Sequence, residues 1–496
     1  MGAPIPWLLI VCASCGGGSA SGDDGGTSGA DAAVPTAVCD RPPLVDTSAP
    51  TTTVGTGTPA SCTMAALQAA ATTGGTIVFD CGPDVTTITV TAPITFTKES
   101  VLDGGALVSL SGGSTNRILY LDSDYNTATP RLTVQRMAFH DGKGPPTGDD
   151  TAQGGGAIYR DGGSLTVIDC QFENNHATAT GQDTAGGAIY GFGGGDTTIV
   201  GSTFTNNAAS DGGAVGSLNG DLTVIDSIFS ANAATGTGGN PGNGGCGGAL
   251  YMDGGGEATS LCGVTIQNNT AGAIGGGFFR VSNDHTGSFA MDRSTVDGNK
   301  VTPSDSGNSG GLYLEGLALT ITASTISRNQ AFYNGGIWIN TDTVTMANVT
   351  IAENTAFGSN GGGMWLGHTP TGTMTNCTIA NNHSTASGQV AGAIFGDGLT
   401  LVNTLIAGNT AMYTPGCDAA RPDGSGNLQF PGGALCTATP LVADPMLGML
   451  GDNGGDTQTL APAAGSPAKG LGATGCPATD QLGMPRALPC TAGAVE

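Results

Sequence analysis

Short apolar runs recur along this chain at a nearly constant interval. One kind is opened by a Gly-Gly doublet, beginning at Gly155, Gly186, Gly212, Gly247, Gly276, Gly310, Gly335 and Gly362, with Ala391-Gly392 as a degenerate ninth. The other kind alternates apolar and polar residues, as in Leu165-Thr-Val-Ile-Asp-Cys-Gln-Phe172 and Leu222-Thr-Val-Ile-Asp-Ser-Ile-Phe229. Its final apolar anchor recurs at Phe139, Phe172, Phe204, Phe229, Ile266, Val296, Ile326, Ile351, Ile379 and Ile406, a mean period of about 30 residues. Such a period predicts stacked units rather than one compact domain: an all-β solenoid of about 12 coils.

Superposing the repeats predicts the cross-section of a coil. Positions seven and five before the anchor are apolar (Leu165/Val167, Leu222/Val224, Leu319/Ile321, Leu399/Leu401), and so is the anchor itself. The inward parity changes between them, which requires a bend at Asp169, Asp226, Asn348, Asn376 or Asn403. Three residues after the anchor stands Asn: Asn175, Asn207, Asn232, Asn269, Asn299, Asn329, Asn354, Asn382 and Asn409. Stacked one per coil, these amides are expected to hydrogen-bond into a structural ladder. The fourth residue of each doublet segment is large and apolar (Ile158, Ile189, Val215, Leu250, Phe279, Tyr313, Trp338, Trp365, Ile394). It is expected to point inward, making Tyr313, Trp338 and Trp365 an aromatic stack in the core. The alternative is that these three face out as a sugar platform. With the core reading, Tyr159, Tyr190, Tyr251, Leu314, Ile339, Leu366 and Phe395 form a partly apolar outer stripe.

Composition agrees with a tightly turning β chain: Gly is 87 of 496 residues, and charged residues are 11%. The formal charge of −25, with 14 Lys and Arg, argues against nucleic acid and against anionic membrane surfaces. Ile5 to Val11 is a short apolar run, and Ala13-Ser14-Cys15 then precedes Gly16-Gly-Gly-Ser. This resembles a bacterial lipoprotein signal (residues 1–15) with Cys15 as the lipidated residue; Cys12 is the alternative acceptor, and a plain cleaved leader the other reading. Residues 16–38, almost free of large apolar side chains, are expected to be a flexible tether. Cys62 and Cys81, Cys246 and Cys262, Cys417 and Cys436, and Cys476 and Cys490 are four close pairs, the candidate disulfides of an exported protein. Cys170 and Cys377 occupy a small-residue register and are expected as buried thiols.

The Gly187-Ala-Ile and Phe204-Thr-Asn-Asn207 motifs resemble the polymorphic outer-membrane protein repeat over about residues 130–410, which implies a right-handed parallel β-helix. Two flanking regions resemble proteins with a choice-of-anchor Q domain. Upstream are Cys62-Thr-Met-Ala-Ala-Leu-Gln and Gly74-Gly-Thr-Ile-Val-Phe-Asp-Cys81. Downstream are Asp444-Pro-Met-Leu-Gly-Met-Leu-Gly-Asp-Asn-Gly-Gly-Asp-Thr-Gln-Thr459 and Cys476-Pro-Ala-Thr-Asp-Gln-Leu-Gly-Met-Pro-Arg486. The resemblance implies a β-helix over 39–435 with a capping helix and strand in 62–81, and an irregular, disulfide-clamped tail over 436–496. No sorting helix, basic tail or barrel pattern follows before Glu496, which points back to Cys15 as the expected anchor.

Functionally these features predict an exported, monomeric surface protein, held at a membrane only through its N-terminal lipid and located at the outer membrane or cell surface. Its role would be adhesion or surface structure, with a surface glycan or protein as ligand and no nucleic acid. A carbohydrate-binding module, or a polysaccharide lyase or hydrolase on the same fold, is the alternative. No catalytic residue, metal ligand set or cofactor site is assigned: Asp23-Asp24 and Asp149-Asp150 lie outside strand contexts, and Arg136, Arg293 and Arg328 are isolated. Asp452-Asn453-Gly454-Gly455-Asp456 offers Ca²⁺-type oxygens but reads better as an Asx-rich turn. The variable loops, including Ala233 to Gly245, are expected to be exposed and dispensable for stability.

Overall fold

Strands this short, apolar on one face, can bury that face only by pairing with the next repeat. In the computed structural model, which describes residues 39–302, 306–385 and 391–496, each repeat does so. Pairings between its strands are parallel and join one repeat to the next, as Phe172 to Phe204, Phe204 to Phe229 and Phe229 to Ile266 illustrate. The outcome is an all-β, right-handed parallel β-helix of about 12 turns, with one α-helix among the described residues. Cys15 and residues 16–38, the expected tether, lie outside the described residues.

Each coil presents three main strands, and the coils from Ala208–Ala209 to His383–Ser384 add a fourth of two residues. The first sheet stacks Ile158–Asp161, Ile189–Phe192, Val215–Leu218 and Leu250–Asp253. The second stacks Ser164–Ile168, Thr197–Val200 and Leu222–Ile225, and the third Gln171–Glu173, Thr203–Thr205 and Ile228–Ser230. Between second and third the chain turns through one left-handed residue: Asp169, Asp226, Arg293, Asn348, Asn376 and Asn403 have φ between 43° and 55°. That turn inverts the side-chain parity, because a single αL residue reverses which face the following strand presents. Inside the third sheet Phe139, Phe172, Phe204 and Phe229 stack with centroids 4.6–4.9 Å apart and planes within 10°. Here is the aromatic core of the helix.

The Asn register closes the next corner. Asn232 Nδ2 donates to Phe204 O (3.1 Å) and to Asn269 Oδ1 (3.0 Å), and the Asn232 backbone N–H reaches that same Oδ1 (2.9 Å). The pattern repeats from Asn175 through Asn207, Asn232, Asn269, Asn299, Asn329, Asn354 and Asn382 to Asn409, all buried. Water cannot reach these corners, so the amides supply the hydrogen bonds the buried backbone needs.

The helix Met64–Thr73 covers the N-terminal end, buries Leu67, Ala70 and Ala71, and is capped by Thr63, whose hydroxyl accepts from Ala66 N (3.2 Å). Its Gln68 accepts from Thr95 N (3.2 Å) and donates to Thr95 O (3.4 Å), satisfying the edge that the first strand of the column would otherwise leave open. At the other end strands continue past residue 435, since Leu441–Val442 pairs with Leu428–Phe430.

Both ends of the described chain fold back along the bend between second and third sheets. Residues 39–47 run over the N-terminal half: Cys39 is disulfide-bonded to Cys262, Arg41 pairs with Asp169, Val45 N donates to Gln135 Oε1 (2.9 Å), and Thr47 Oγ1 donates to Asp103 Oδ2 (2.7 Å). This strap covers Ile168, Val200 and Ile225, which face outward from the second sheet. The tail covers the C-terminal half. Asn348, Asn376 and Asn403 donate to Thr479 O, Thr491 O and Thr474 O (each 2.8 Å), and Gln481 bonds Ser324 O and the Thr325 and Thr350 hydroxyls. Small outward residues such as Thr325, Ala352 and Ala380 are buried beneath it.

Cys62–Cys81, Cys417–Cys436 and Cys476–Cys490 are disulfides. The pairing of Cys246 with Cys262 is corrected: Cys262 bonds Cys39, 223 residues away, and Cys246 is a free, buried thiol. The two are near in sequence but on different faces. Cys262 points out of the second sheet under the strap, whereas Cys246 lies beneath the loop over the first sheet, packed with Tyr251. Cys170 and Cys377 are buried thiols, pushed up to about 12 by desolvation.

Candidate functional site

The first sheet overturns the expected position of three aromatic residues. Leu250 pairs with Phe278, Phe278 with Leu312, Leu312 with Ile337, and Ile337 with Met364, and these are the core residues. Phe279, Tyr313, Trp338 and Trp365 therefore face outward, not into the core. A one-residue slip in alignment causes the error, and in a strand that moves every side chain to the opposite face. The doublet is a poor landmark: the left-handed position is Gly155, Gly186, Gly212, Gly247 and Gly275 in five repeats, but Ser309 (φ 57°) in the next. The better landmark is the small residue just before the inward one, which is Ala157, Ala188, Ala214, Ala249, Gly277, Gly311, Gly336, Gly363 and Ala393. Leu314, Ile339 and Leu366, expected outside, are in the core for the same reason.

The outward positions form one aromatic row: Tyr120, Tyr159, Tyr190, Gly216, Tyr251, Phe279, Tyr313, Trp338, Trp365 and Phe395. At the single gap, Ala185 Cβ and the ring of Tyr190 take the space a Gly216 side chain would need, 2.4 and 2.9 Å from an ideal Cβ. Loops cover the N-terminal part of the row. Tyr190 and Tyr251 are fully buried, Tyr190 Oη donates to Asp183 O (2.9 Å), and Tyr251 Oη donates to Asp253 Oδ2 (3.0 Å). Asn240, at the tip of the Gly-rich loop, donates to Tyr251 Oη (3.0 Å) and Asp253 Oδ2 (2.6 Å). That loop is thus a lid on the row rather than a free excursion. Arg117 lies 4.4 Å from the Tyr159 ring centroid and donates to Ala152 O and Gly154 O (2.6 and 2.7 Å).

Beyond the lid Phe279 and Trp338 are still buried, whereas Tyr313 and Trp365 are partly exposed. Tyr251, Phe279, Tyr313 and Trp338 stack with interplanar angles of 7°, 15° and 18°, but Trp365 turns 71° away from Trp338. The turn frees part of the indole of Trp365, which lines a groove of about 390 Å³ together with Tyr333, Ile274, Ala273, Asn308, Asn360 and Gly238. Tyr333 is exposed and Trp365 is partly exposed. Aromatic faces beside a few amide side chains make a site that is apolar in body and hydrogen-bonding at its rim. Tyr333, Asn308, Asn360 and Ile274 were not legible as site residues, because they stand on loops of irregular length between the short strand and the doublet.

A second cavity, of about 130 Å³, contains a carboxylate–Arg pair, Asp103 with Arg136. Asp103 receives Arg136 Nε (3.0 Å), Gln135 Nε2 (2.9 Å), Thr47 Oγ1 (2.7 Å) and Gly105 N (2.9 Å). Burial alone would raise its pKa, but these donors hold it below the ordinary carboxylate value. Both oxygens are occupied, so the pair anchors the strap rather than offering a base. Asp211, under the lid, is the opposite case. Burial pushes its carboxyl well above the usual range, against the Cys246 N–H bond to Oδ1 (2.8 Å), and Oδ2 has no partner among the described residues. In the Asp452–Asp456 loop, Asp452 Oδ1 accepts from Gly454 N (2.9 Å) in an Asx turn, and Asp456 faces Arg293 at 3.8 Å. Among the described residues no group of three or more His, Cys, Asp or Glu side chains is arranged to hold a metal ion, and no helix is long and apolar enough to cross a membrane.

No protein-family model matches the chain, and no curated protein matches it. Three solved structures are similar to it. The periplasmic alginate epimerase AlgG is 10% identical, with 70% of this chain and 76% of that chain covered and a TM-score of 0.30. The A-module of the Azotobacter vinelandii mannuronan C-5 epimerase AlgE6 is 15% identical over 74% of this chain and 95% of its own, with a TM-score of 0.31. Bacteriophage CBA120 tailspike protein 3 is 13% identical, covering 71% of this chain and 58% of its own, at a TM-score of 0.27. These are likenesses of fold.

Proposed function

We propose that this chain is an exported β-helix protein that binds glycans at a surface through the groove beside Trp365. The observation that carries the reading is the turned indole of Trp365 in the outward aromatic row, next to Asn308 and Asn360. Aromatic faces bury the apolar C–H face of a sugar ring, while amides bond its hydroxyls. Export is supported by four disulfides, the chemistry of an oxidising compartment. Within this reading Cys15 carries the lipid and residues 16–38 are the tether. The choice-of-anchor Q resemblance in Asp444–Thr459 and Cys476–Arg486 supports display at a surface.

The test is a glycan array probed with purified protein and with Trp365→Ala of equal thermal stability. The reading expects one class of glycan bound by the wild type and lost in the variant. Binding to no glycan, or equal binding by both proteins, contradicts it. Incubation of the bound glycan with the protein, followed by assay for new reducing ends or unsaturated uronides, reads any catalysis on the same chain. Metabolic labelling with a palmitate analogue, lost in Cys15→Ala, reads the anchor.

A further inference from the structure

We infer that the groove beside Trp365 selects neutral glycans over polyuronates and other anionic polymers; the inference rests on the glycan-binding reading above. A polyanion site needs cations that can pair with regularly spaced carboxylates or sulfates. From Gly263 to Ala420, which includes all but one of the groove-lining residues, the sequence has four Lys or Arg residues: Arg280, Arg293, Lys300 and Arg328.

Three of the four are committed elsewhere. Arg280 is buried and donates to the carbonyls of Glu257, Ser288 and Glu315. Arg293 pairs with Asp292 at 3.0 Å and lies 3.8 Å from Asp456, on the bend. Arg328 donates to both oxygens of Asp297 (2.7 and 2.9 Å) and to Gln458 of the tail (2.7 Å). Lys300 is exposed, on the two-residue strand Lys300–Val301, and does not line the groove. Gly238, the lining residue outside this span, belongs to a loop without a basic residue from Gly236 to Gly245. The formal charge of −25 adds a repulsive field for any polyanion approaching the wall.

What the groove does present is an indole, a phenol, the aliphatic side chain of Ile274, and the amides of Asn308 and Asn360. An amide both donates and accepts, which suits a hydroxyl that does the same and does nothing special for a carboxylate. Successive coils repeat every ~4.8 Å along the axis, comparable with the advance of one sugar in an extended hexose polymer. A neutral chain lying along the axis can therefore meet Trp365 with one ring and the amides of adjacent coils with its hydroxyls.

Affinity electrophoresis of the full chain tests this, in native gels cast with hydroxyethylcellulose, mixed-linkage β-glucan, galactomannan or dextran, and in parallel gels with alginate or polygalacturonate. Retardation is expected in at least one neutral gel and in neither uronate gel. Trp365→Ala should weaken that binding by about tenfold or more. Asn308→Ala, which leaves the aromatic row intact, should weaken it measurably even if the Trp365 variant folds poorly. Retardation in a uronate gel that Trp365→Ala abolishes would overturn the neutral selectivity while leaving the groove as a glycan site. Retardation in no gel, or retardation unaffected by either variant, would overturn both.

Discussion

Replacing Asn269 by Ala probes what holds the corner of every coil. Its Oδ1 accepts from Asn232 N (2.9 Å) and Asn232 Nδ2 (3.0 Å), and its Nδ2 donates to Phe229 O (3.1 Å) and Asn299 Oδ1 (2.9 Å). Truncation removes all four bonds in a place with no access to water. It strands the Asn232 N–H and one N–H of the Asn232 amide, and takes one partner each from the Phe229 carbonyl and Asn299 Oδ1. At about 1–3 kcal/mol per buried group left unpaired, the cost is about 2–6 kcal/mol. Since a solenoid's stability is a sum of coil and interface contributions, the loss should fall on the coils around residues 229–235, 267–271 and 297–301. Urea unfolding followed by circular dichroism reads the magnitude, and amide hydrogen exchange reads its location. Ser260→Ala, on the exposed face of the second sheet, is the control and should stay within about 0.5 kcal/mol. A cost below about 1 kcal/mol for Asn269→Ala, or protection lost evenly over the chain, would refute the reasoning.

Non-reducing peptide mapping should find Cys39 linked to Cys262 and Cys246 alkylated only after denaturation; a Cys246–Cys262 peptide would contradict the fold-back of the strap. Cys39→Ser should release the strap, uncover Ile168, Val200 and Ile225, and raise binding of a hydrophobic dye, whereas an unchanged signal would mean the strap holds without its disulfide. Excising Ala234 to Asn243 removes the lid whose Asn240 bonds Tyr251 and Asp253, so stability should fall by about 2 kcal/mol or more, measurable as a lower Tm; an unchanged Tm would return the segment to a free loop. Asp211 has a folded pKa above its ordinary 3.8, so its contribution to stability is complete below that value and is lost as pH rises towards the folded pKa. Asp211→Asn should therefore gain stability relative to wild type between pH 4 and pH 7 (roughly the range over which a free carboxyl is ionised), and parallel curves for the two proteins would exclude the effect.

The coil was legible because its signals are redundant: the anchor, the Asn three residues later and the inverted parity each mark the same turn. The Asn register and the strand columns follow from spacing alone. The aromatic row was not legible, because glycine repeats at two adjacent positions and Ser309 replaces it at one. An alignment on Gly-Gly then slips by one residue over Phe279 to Trp365, and only the pairing partners across coils, Leu250 with Phe278 onward, fix the face. The Cys39–Cys262 link was hidden for a different reason: a strap running back along the axis joins residues 223 apart in sequence, and local spacing carries no trace of it. The groove residues Tyr333, Asn308 and Asn360 come from three successive loops of unequal length, which no single repeat template aligns.

The central claim is that an outward indole on the first sheet contacts a glycan. It is tested most directly by the fluorescence of Trp365 in a Trp338→Phe protein, titrated with the neutral polymers above. A saturable change in emission, absent when Trp365 is also replaced by Phe, is the expected result. Saturable binding of a polymer with no change in that emission, or no binding of any polymer by a correctly folded protein, would contradict the account.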